Sequence, residues 1–136
     1  MATSAKTFSY AVSVDRDGTA RSGEGGSPLP EEEAWSPEHL VLAGLARCIL
    51  TSLDYHARRN EIEINGSTEA RGEVAQRDTD GRHAFVHIKV DVDVTLDPKP
   101  QSPRELVAKA ERDCFVGASL TAKPRYHWTV NGEELL

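Results

Sequence analysis

A cysteine stands in the middle of the most apolar segment of the sequence, and its thiol is the side chain best suited to chemistry there. The segment, SPEHLVLAGLARCILTSLDYHARR, spans residues 36–59 and places Cys48 among small and apolar neighbours. Such a thiol is either a small packing residue, which is a common role of free cysteine, or a nucleophile. The sequence leaves both interpretations open.

A nucleophilic cysteine has to be a thiolate, which needs a positive charge or hydrogen-bond donors nearby. Arg47 is a poor candidate because adjacent helical residues point about 100° apart. Arg16, in the sequence DRDG after the first predicted strand, is better placed to reach a site from the rim of a sheet. Arg21 is a weaker competitor, and the alternative is that Arg16 is a solvated turn residue.

Glu38 raises a question of distance. It lies ten residues before Cys48, which is about 15 Å along an α-helix, so the two cannot touch within one helix. Glu38 of one chain could approach Cys48 of another if two copies of the helix crossed antiparallel. Otherwise Glu38 is an acidic residue that favours the start of a helix.

The segment around Cys48 has the features of a long helix. Ser36 can serve as N-cap and Pro37 as the first helical residue, and the helix should run to about Arg59 and stop before Asn65-Gly66. A broad apolar face should pack on a sheet; it contains Leu42, Leu45, Ala46, Ile49, Leu50, Leu53 and Ala57. A strip of smaller residues lies beside it and could let a second helix come close; it contains Val41, Gly44, Cys48, Ser52 and Tyr55.

The other predicted elements are strands and one further helix. Residues 6–15 alternate apolar and polar side chains as in a half-buried strand, RDG forms a turn, and a short strand follows near TARS. An irregular strand, a turn at Asp80-Gly81 and a strand over 82–97 come next, with Ala84, Val86, Ile88, Val90, Val92, Val94 and Leu96 on one face. Ser102 and Glu105 predict a capping box that opens a helix through ELVAKAERDC, and RYHWTV is a short strand before a polar tail. The pattern predicts one α+β domain, residues 1–136, with an antiparallel sheet.

Composition narrows the classes of function. The net charge of −6 argues against nucleic-acid binding, and no apolar window or leader predicts a membrane span or signal peptide. A cytoplasmic location is therefore expected, in which two cysteines are free thiols or a redox pair rather than a structural bridge. The histidines and cysteines form no metal-binding motif, so no metal or cofactor is predicted.

Two segments together resemble the OsmC/Ohr family, the osmotically inducible protein C and organic hydroperoxide resistance proteins. SPEHLVLAGLARCIL has the family's proline–glutamate start with a cysteine ten residues later, ELVAKAERDCFVGASL resembles the later helix with the second cysteine, and RDG resembles the place of an active-site arginine. The resemblance covers nearly the whole chain. It implies an intertwined homodimer in which sheets wrap two long central helices and two sites form at the subunit interface.

The resemblance also implies roles for individual residues. Cys48 corresponds to the peroxidatic cysteine, Cys114 to the resolving cysteine, Glu38 to the active-site glutamate and Arg16 to the arginine. The implied activity is reduction of organic hydroperoxides, with an external dithiol, such as a lipoyl-type dithiol, as reductant. Phe115 stands where the family usually has proline, and Arg47 and the acidic loop 31–33 also depart from the pattern.

Two alternatives remain beside a peroxidase. In one, the chain is a non-catalytic OsmC-like domain whose cysteines pack or which binds a small ligand. In the other, it is a thiol redox sensor in which a disulfide changes a surface. Leu45, Tyr55 and Phe115 are candidates for the lining of an apolar pocket.

Overall fold

The computed structural model describes residues 6–136. In chain order their helices and strands are β1 (Val12–Val14), β2 (Ala20–Ser22), a 3-10 turn (Glu33–Trp35), α1 (Pro37–Arg58), β3 (Glu63–Gln76), β4 (His83–Asp97), α2 (Pro103–Arg112), α3 (Phe115–Ser119), β5 (Arg125–Val130) and β6 (Glu133–Leu135). They belong to two compact units that divide after Pro37.

The first unit contains a short antiparallel hairpin. β1 pairs with β2, with Val12 opposite Ser22 and Val14 opposite Ala20. The turn between them closes where the N–H of Gly18 donates to the carbonyl of Asp15 at 2.9 Å, and Gly18 adopts a φ of 88° that glycine tolerates best. The predicted RDG turn and the short strand after it are confirmed.

The predicted half-burial of the first strand is wrong for the isolated chain. Only Val12–Val14 form a strand, and the four apolar side chains of the alternating pattern are 59–78% exposed: Phe8, Tyr10, Val12 and Val14. A two-stranded sheet has no second layer of its own, so its apolar residues stay exposed unless another layer covers them.

α1 confirms the predicted long helix. It is continuous over 22 residues and ends at Arg58, after which Glu61 takes a positive φ of 56° as the chain turns into β3. The predicted apolar face is buried, with Leu45, Ile49, Leu53 and Ala57 fully inaccessible. Within residues 6–136, no helix is long and apolar enough to cross a membrane.

β3 and β4 form a long antiparallel hairpin around the predicted turn. Alternate residues of β4 from Ile88 to Leu96 are at most 2% exposed, which confirms the predicted buried face. The alternation of buried and exposed residues shifts by one position at a β-bulge. Glu73 pairs with His87, whereas the next residue, Val74, pairs with Phe85. Phe85, rather than Ala84 or Val86 as predicted, therefore packs against the core.

The four-stranded sheet has the order β3-β4-β5-β6 and is mixed rather than wholly antiparallel. β4 and β5 run parallel, with Val90 opposite Tyr126 and Val94 opposite Val130. Parallel neighbours require a crossover connection, which α2 and α3 provide. The α+β class is confirmed; the parallel pair corrects the predicted strand directions, and β6 occupies the predicted polar tail.

The second predicted helix begins and ends differently from its sequence signals. Ser102 precedes α2, but its side chain makes no capping hydrogen bond, because its backbone (φ −122°, ψ 78°) departs from the usual extended N-cap conformation. α2 ends at Arg112 instead of continuing through Cys114, and a separate short helix, α3, begins at Phe115. Cys114 therefore lies at a junction between helices rather than on a helical face.

Gly66 occupies a crowded position inside β3. A Cβ placed on it would lie 2.7 Å from the backbone oxygen of Asp93 and would also clash with the Val94 side chain. We expect Gly66→Ala to lower the free energy of unfolding by about 1–3 kcal/mol. Gly44→Ala, in α1 with nothing within 4 Å, should instead raise it by about 0.5–1 kcal/mol.

Denaturant unfolding of the two variants tests this prediction. A free energy of unfolding equal to that of the wild type in Gly66→Ala would contradict the close approach of β3 and β4 at this position. A loss of stability in Gly44→Ala would show that a second chain occupies the open space beside α1.

Candidate active site

The two cysteines meet at the contact between α1 and the junction of α2 with α3. Cys48 lies near the middle of α1 and is partly buried, whereas Cys114 is fully buried. Both are free thiols that contact the core cluster. The Cys48 side chain raises the pKa of the Cys114 thiol, which requires the two side chains to lie close together. The structure thus brings together two predicted site residues that are 66 positions apart in sequence.

Burial controls the ionisation of Cys114. Desolvation is the largest effect and raises the pKa of the Cys114 thiol, and the hydrogen bond and charge of Cys48 raise it further. The backbone N–H of Gly117 and the hydroxyl of Tyr126 act in the opposite direction, because they donate to the thiolate. Cys114 is therefore held mainly as a thiol, with two donors that favour its ionised form.

Tyr126 on β5 is a site residue that the sequence did not indicate. Its hydroxyl oxygen lies 2.6 Å from the position a Cβ would take on Gly117, and the Cys114 sulfur lies 3.4 Å from the same point. Glycine at this position therefore leaves room for the hydroxyl beside the sulfur. Desolvation raises the pKa of Tyr126, and the nearby Cys114 raises it further, so the phenol stays protonated and can donate.

Three hydrogen bonds fix the last turn of α2 near Cys114. The Ser52 hydroxyl on α1 donates to the carbonyl of Ala110 at 2.7 Å, and the Trp128 indole on β5 donates to Glu111 at 2.8 Å. His56 Nε2 lies 2.7 Å from a carboxylate oxygen of Asp113. Ser52 thus contacts the end of α2 of the same chain, whereas Gly44 in the same strip has nothing within 4 Å of its Cβ position, so the predicted packing of a second helix along the whole strip stays a prediction.

His56 continues the spacing of that strip. Gly44, Cys48, Ser52 and His56 follow one another at intervals of four residues, so they lie along one side of α1. The predicted strip of smaller residues ended with Ser52 and Tyr55 and did not include His56. Extending it by one step would have identified His56, which is 8% exposed.

The other predicted site residues lie on exposed parts of their own units. Glu38 is exposed in the first turn of α1; since α1 is continuous, about 15 Å of helix separates it from Cys48. Arg16 is exposed in the hairpin turn of the first unit. Arg21 is held by Asp15 in the same hairpin, with its Nε 2.7 Å from the carboxylate, which favours Arg16 as the available arginine.

Of the candidate pocket residues, only two are accessible. Leu45 is fully buried in the core, whereas Tyr55 and Phe115 are 57% and 55% exposed. A concavity of about 470 Å³ lies beyond the end of α1, between Ile62, Pro98 and Leu106, and includes neither cysteine. Across residues 6–136, no three His, Cys, Asp or Glu side chains are grouped so as to hold a metal ion.

Replacing Tyr126 with phenylalanine should make Cys114 harder to ionise. The hydroxyl favours the thiolate and lowers the pKa of Cys114, so its loss should raise that pKa and reduce the thiolate fraction at any pH below it. NMR titration of the labelled Cys114 Cβ should show a midpoint at higher pH in Tyr126→Phe. Tyr55→Phe is the control, since that hydroxyl accepts from Arg59; equal midpoints in all three proteins would contradict the assigned contact.

Comparison with known proteins identifies the family and the fold of the chain. The family model described as OsmC-like protein matches residues 30–129. A comparison of the sequence with curated proteins found no match. Solved structures that resemble the chain include the organic hydroperoxide resistance protein OhrB of Bacillus subtilis, at 23% identity and a TM-score of 0.61, covering 90% of this chain and 98% of that one.

Two further structures show the same fold. An OsmC-like protein from Mycoplasma pneumoniae aligns at 19% identity and a TM-score of 0.66, covering 93% of this chain and 96% of that one. The organic hydroperoxide resistance protein OsmC from Legionella pneumophila aligns at 21% identity and a TM-score of 0.59, covering 94% of this chain and 98% of that one. The chain has the α+β fold of these proteins. It belongs to the OsmC-like protein family.

Proposed function

We propose that the chain is a cysteine-based peroxidase that reduces organic hydroperoxides. The observation that carries this proposal is the contact between a partly buried thiol, Cys48, and a fully buried one, Cys114. A peroxidatic cysteine needs access for substrate, and a resolving cysteine needs only access to the first sulfur. The organic hydroperoxide resistance proteins of similar fold support the choice of substrate class.

The proposed reaction has two oxidative steps and one reductive step. The Cys48 thiolate attacks the outer peroxide oxygen; the O–O bond breaks, an alcohol leaves after taking up a proton, and Cys48 becomes a sulfenic acid. The Cys114 sulfur then attacks the Cys48 sulfur, the S–O bond breaks, and water leaves as the disulfide forms. An external dithiol restores both thiols by exchange and becomes a disulfide itself.

Arg16 and Glu38 complete the proposed site in a homodimer. The guanidinium of Arg16 would stabilise the Cys48 thiolate and donate to the peroxide oxygens, and Glu38 would orient it through a bidentate pair. The distance along α1 prevents Glu38 from acting on Cys48 of its own helix, so it would act from the partner subunit. Exposed apolar residues on α1 support such a contact, with Leu40 44% and Val41 37% exposed.

An apolar approach to the sulfur favours organic over hydrogen peroxide. Phe115 follows Cys114 and is 55% exposed, so its ring can contribute to such a surface. Each buried methylene of a substrate contributes about 0.8 kcal/mol, which hydrogen peroxide cannot gain. We propose further that the reductant is a small or lipoyl-bearing dithiol, that no cofactor takes part, and that the protein works in the cytoplasm, where thiols stay reduced.

Turnover distinguishes this proposal from a redox sensor. With excess dithiothreitol or a lipoyl dithiol, the protein should consume many equivalents of cumene hydroperoxide per subunit, and it should do so faster than it consumes hydrogen peroxide. A sensor would be oxidised once and stop, and a non-catalytic ligand-binding domain would consume none. Either result would overturn the proposed activity.

A further inference from the structure

A buried histidine joins α1 to the junction that carries Cys114, and the mechanism above does not use it. His56 lies on α1 two turns after Cys48 and is 8% exposed. Its Nε2 atom lies 2.7 Å from Oδ2 of Asp113, the residue directly before Cys114. Asp113 is thus adjacent to Cys114, and His56 lies on the same side of α1 as Cys48, about 12 Å along the helix.

The ionised state of Asp113 determines which residue of the pair donates the hydrogen bond. The hydrogen bond from Arg112 is the main effect that lowers the pKa of Asp113 to about 2, and His56 lowers it further. Asp113 is therefore a carboxylate at neutral pH and can only accept, so His56 donates from Nε2. Arg112 also donates to Asp113, at 3.0 Å through Nε and through a terminal nitrogen, but it lies on α2 itself. Of these two donors, only His56 connects Asp113 to another element.

The pair acts where the backbone leaves the helix. Asp113 is the C-cap residue of α2, and its N–H donates to the carbonyl of Lys109. The next residue, Cys114, has an extended backbone with φ −76° and ψ 105°. Helical hydrogen bonding therefore does not set the direction in which the chain leaves α2. The Ser52–Ala110 bond holds the preceding turn, so of these two hydrogen bonds from α1 it is the His56–Asp113 contact that lies next to the cysteine.

We propose that His56 and Asp113 are positioning residues for disulfide formation, which hold the Cys114 sulfur within attacking range of Cys48. This inference rests on the proposed function and deepens it. In the step concerned, the Cys114 thiolate attacks the sulfur of the Cys48 sulfenic acid; the S–S bond forms, the S–O bond breaks, and the departing hydroxide takes up a proton. When the pair is broken, the sulfenic acid persists and a second hydroperoxide oxidises it to a sulfinic acid.

The test compares two replacements of His56 that differ in their donor. His56→Gln keeps a side-chain N–H that can reach Asp113, whereas His56→Leu fills similar space without one. The equilibrium constant for the Cys48–Cys114 disulfide is measured in glutathione buffers, without peroxide. In parallel, intact mass spectrometry measures the sulfinic acid formed per equivalent of cumene hydroperoxide.

In His56→Leu we expect the disulfide equilibrium constant to fall on the order of tenfold or more, with a matching rise in the sulfinic fraction. His56→Gln should stay near wild type in both measurements, which a role in packing alone would not predict. Should His56→Leu fail to fold, Asp113→Ala replaces it, because its side chain is 38% exposed and its loss removes the same contact.

Two results separate the inference from the proposed function. Wild-type values for His56→Leu, or for Asp113→Ala in its place, would overturn the positioning role. A wild-type protein that forms the disulfide in glutathione but consumes no hydroperoxide would overturn the peroxidase, and the glutathione measurement would still decide the role of His56.

Discussion

Cys48→Ser is expected to abolish hydroperoxide reduction while the protein remains folded. The hydroxyl of serine is not ionised at neutral pH and cannot form a sulfenic acid, so no oxidised intermediate can arise. We expect the rate of cumene hydroperoxide consumption to fall by roughly 1,000-fold or more, as is usual when a nucleophile is removed. Steady-state consumption with excess dithiol measures it, and circular dichroism verifies the fold.

Cys114→Ser is the matched variant, because it makes the same chemical change at the other sulfur. It should still react once with hydroperoxide, since Cys48 is intact, and then accumulate sulfinic acid under excess peroxide. Intact mass spectrometry distinguishes this product from the disulfide that we expect in the wild-type protein. Consumption at the parent rate by both serine variants would exclude both thiols as the reacting groups.

The largest effect on stability is expected from Leu45→Ala. Leu45 is fully buried, and its Cδ1 lies 3.5 Å from the Cβ position of Gly117, so its side chain supports α3 directly beneath Cys114. Truncation to alanine leaves a cavity, and we expect the free energy of unfolding to fall by about 3–5 kcal/mol. Denaturant unfolding at a fixed protein concentration measures this change.

Leu136→Ala is the control for that loss. It makes the identical substitution at a residue that is 92% exposed, so its stability should stay within about 0.5 kcal/mol of the wild type. A loss below about 1 kcal/mol in Leu45→Ala would mean that α3 collapses onto α1 without strain, and that Leu45 does not determine the position of Cys114.

The sequence predicted the elements whose side-chain pattern is repeated over many residues. α1 carries apolar residues at helical spacing from Leu42 to Ala57, and β4 alternates from Ile88 to Leu96, so each pattern has several independent signals. Both elements were found where they were predicted. The predicted burial of the first strand was wrong because an alternating pattern indicates a buried face but does not identify the layer that covers it.

The pairing of elements could not be predicted in the same way. The parallel alignment of β4 with β5 depends on where α2 and α3 pack, and residues far apart in sequence determine this. The bulge between Glu73 and Val74 moves Phe85 to the core. Gly72 stands beside it, and a Cβ there would lie 2.6 Å from the Phe85 ring, but a single glycine in a strand does not say which residue takes its space. Tyr126 reaches Cys114 from a different strand, so no local spacing connects the two.

Of the site itself, the cysteine pair was predicted through the family resemblance, and the structure brings Cys48 and Cys114 together. The sequence identified Cys48 by its place in an apolar helix, but only the resemblance connected it with Cys114. The roles of Arg16 and Glu38 stay predictions, since both depend on a second subunit. The contact of His56 with Asp113 needed the structure, although its spacing on α1 was visible.

The crossover between β4 and β5 also makes the site depend on the folded state. Sixty-six positions separate the two cysteines, so in an unfolded chain their encounter is opposed by the entropy of closing a long loop. The packing of α1 against the segment between the parallel strands brings them together. The two thiols are therefore neighbours in the folded chain and independent of each other in the unfolded one.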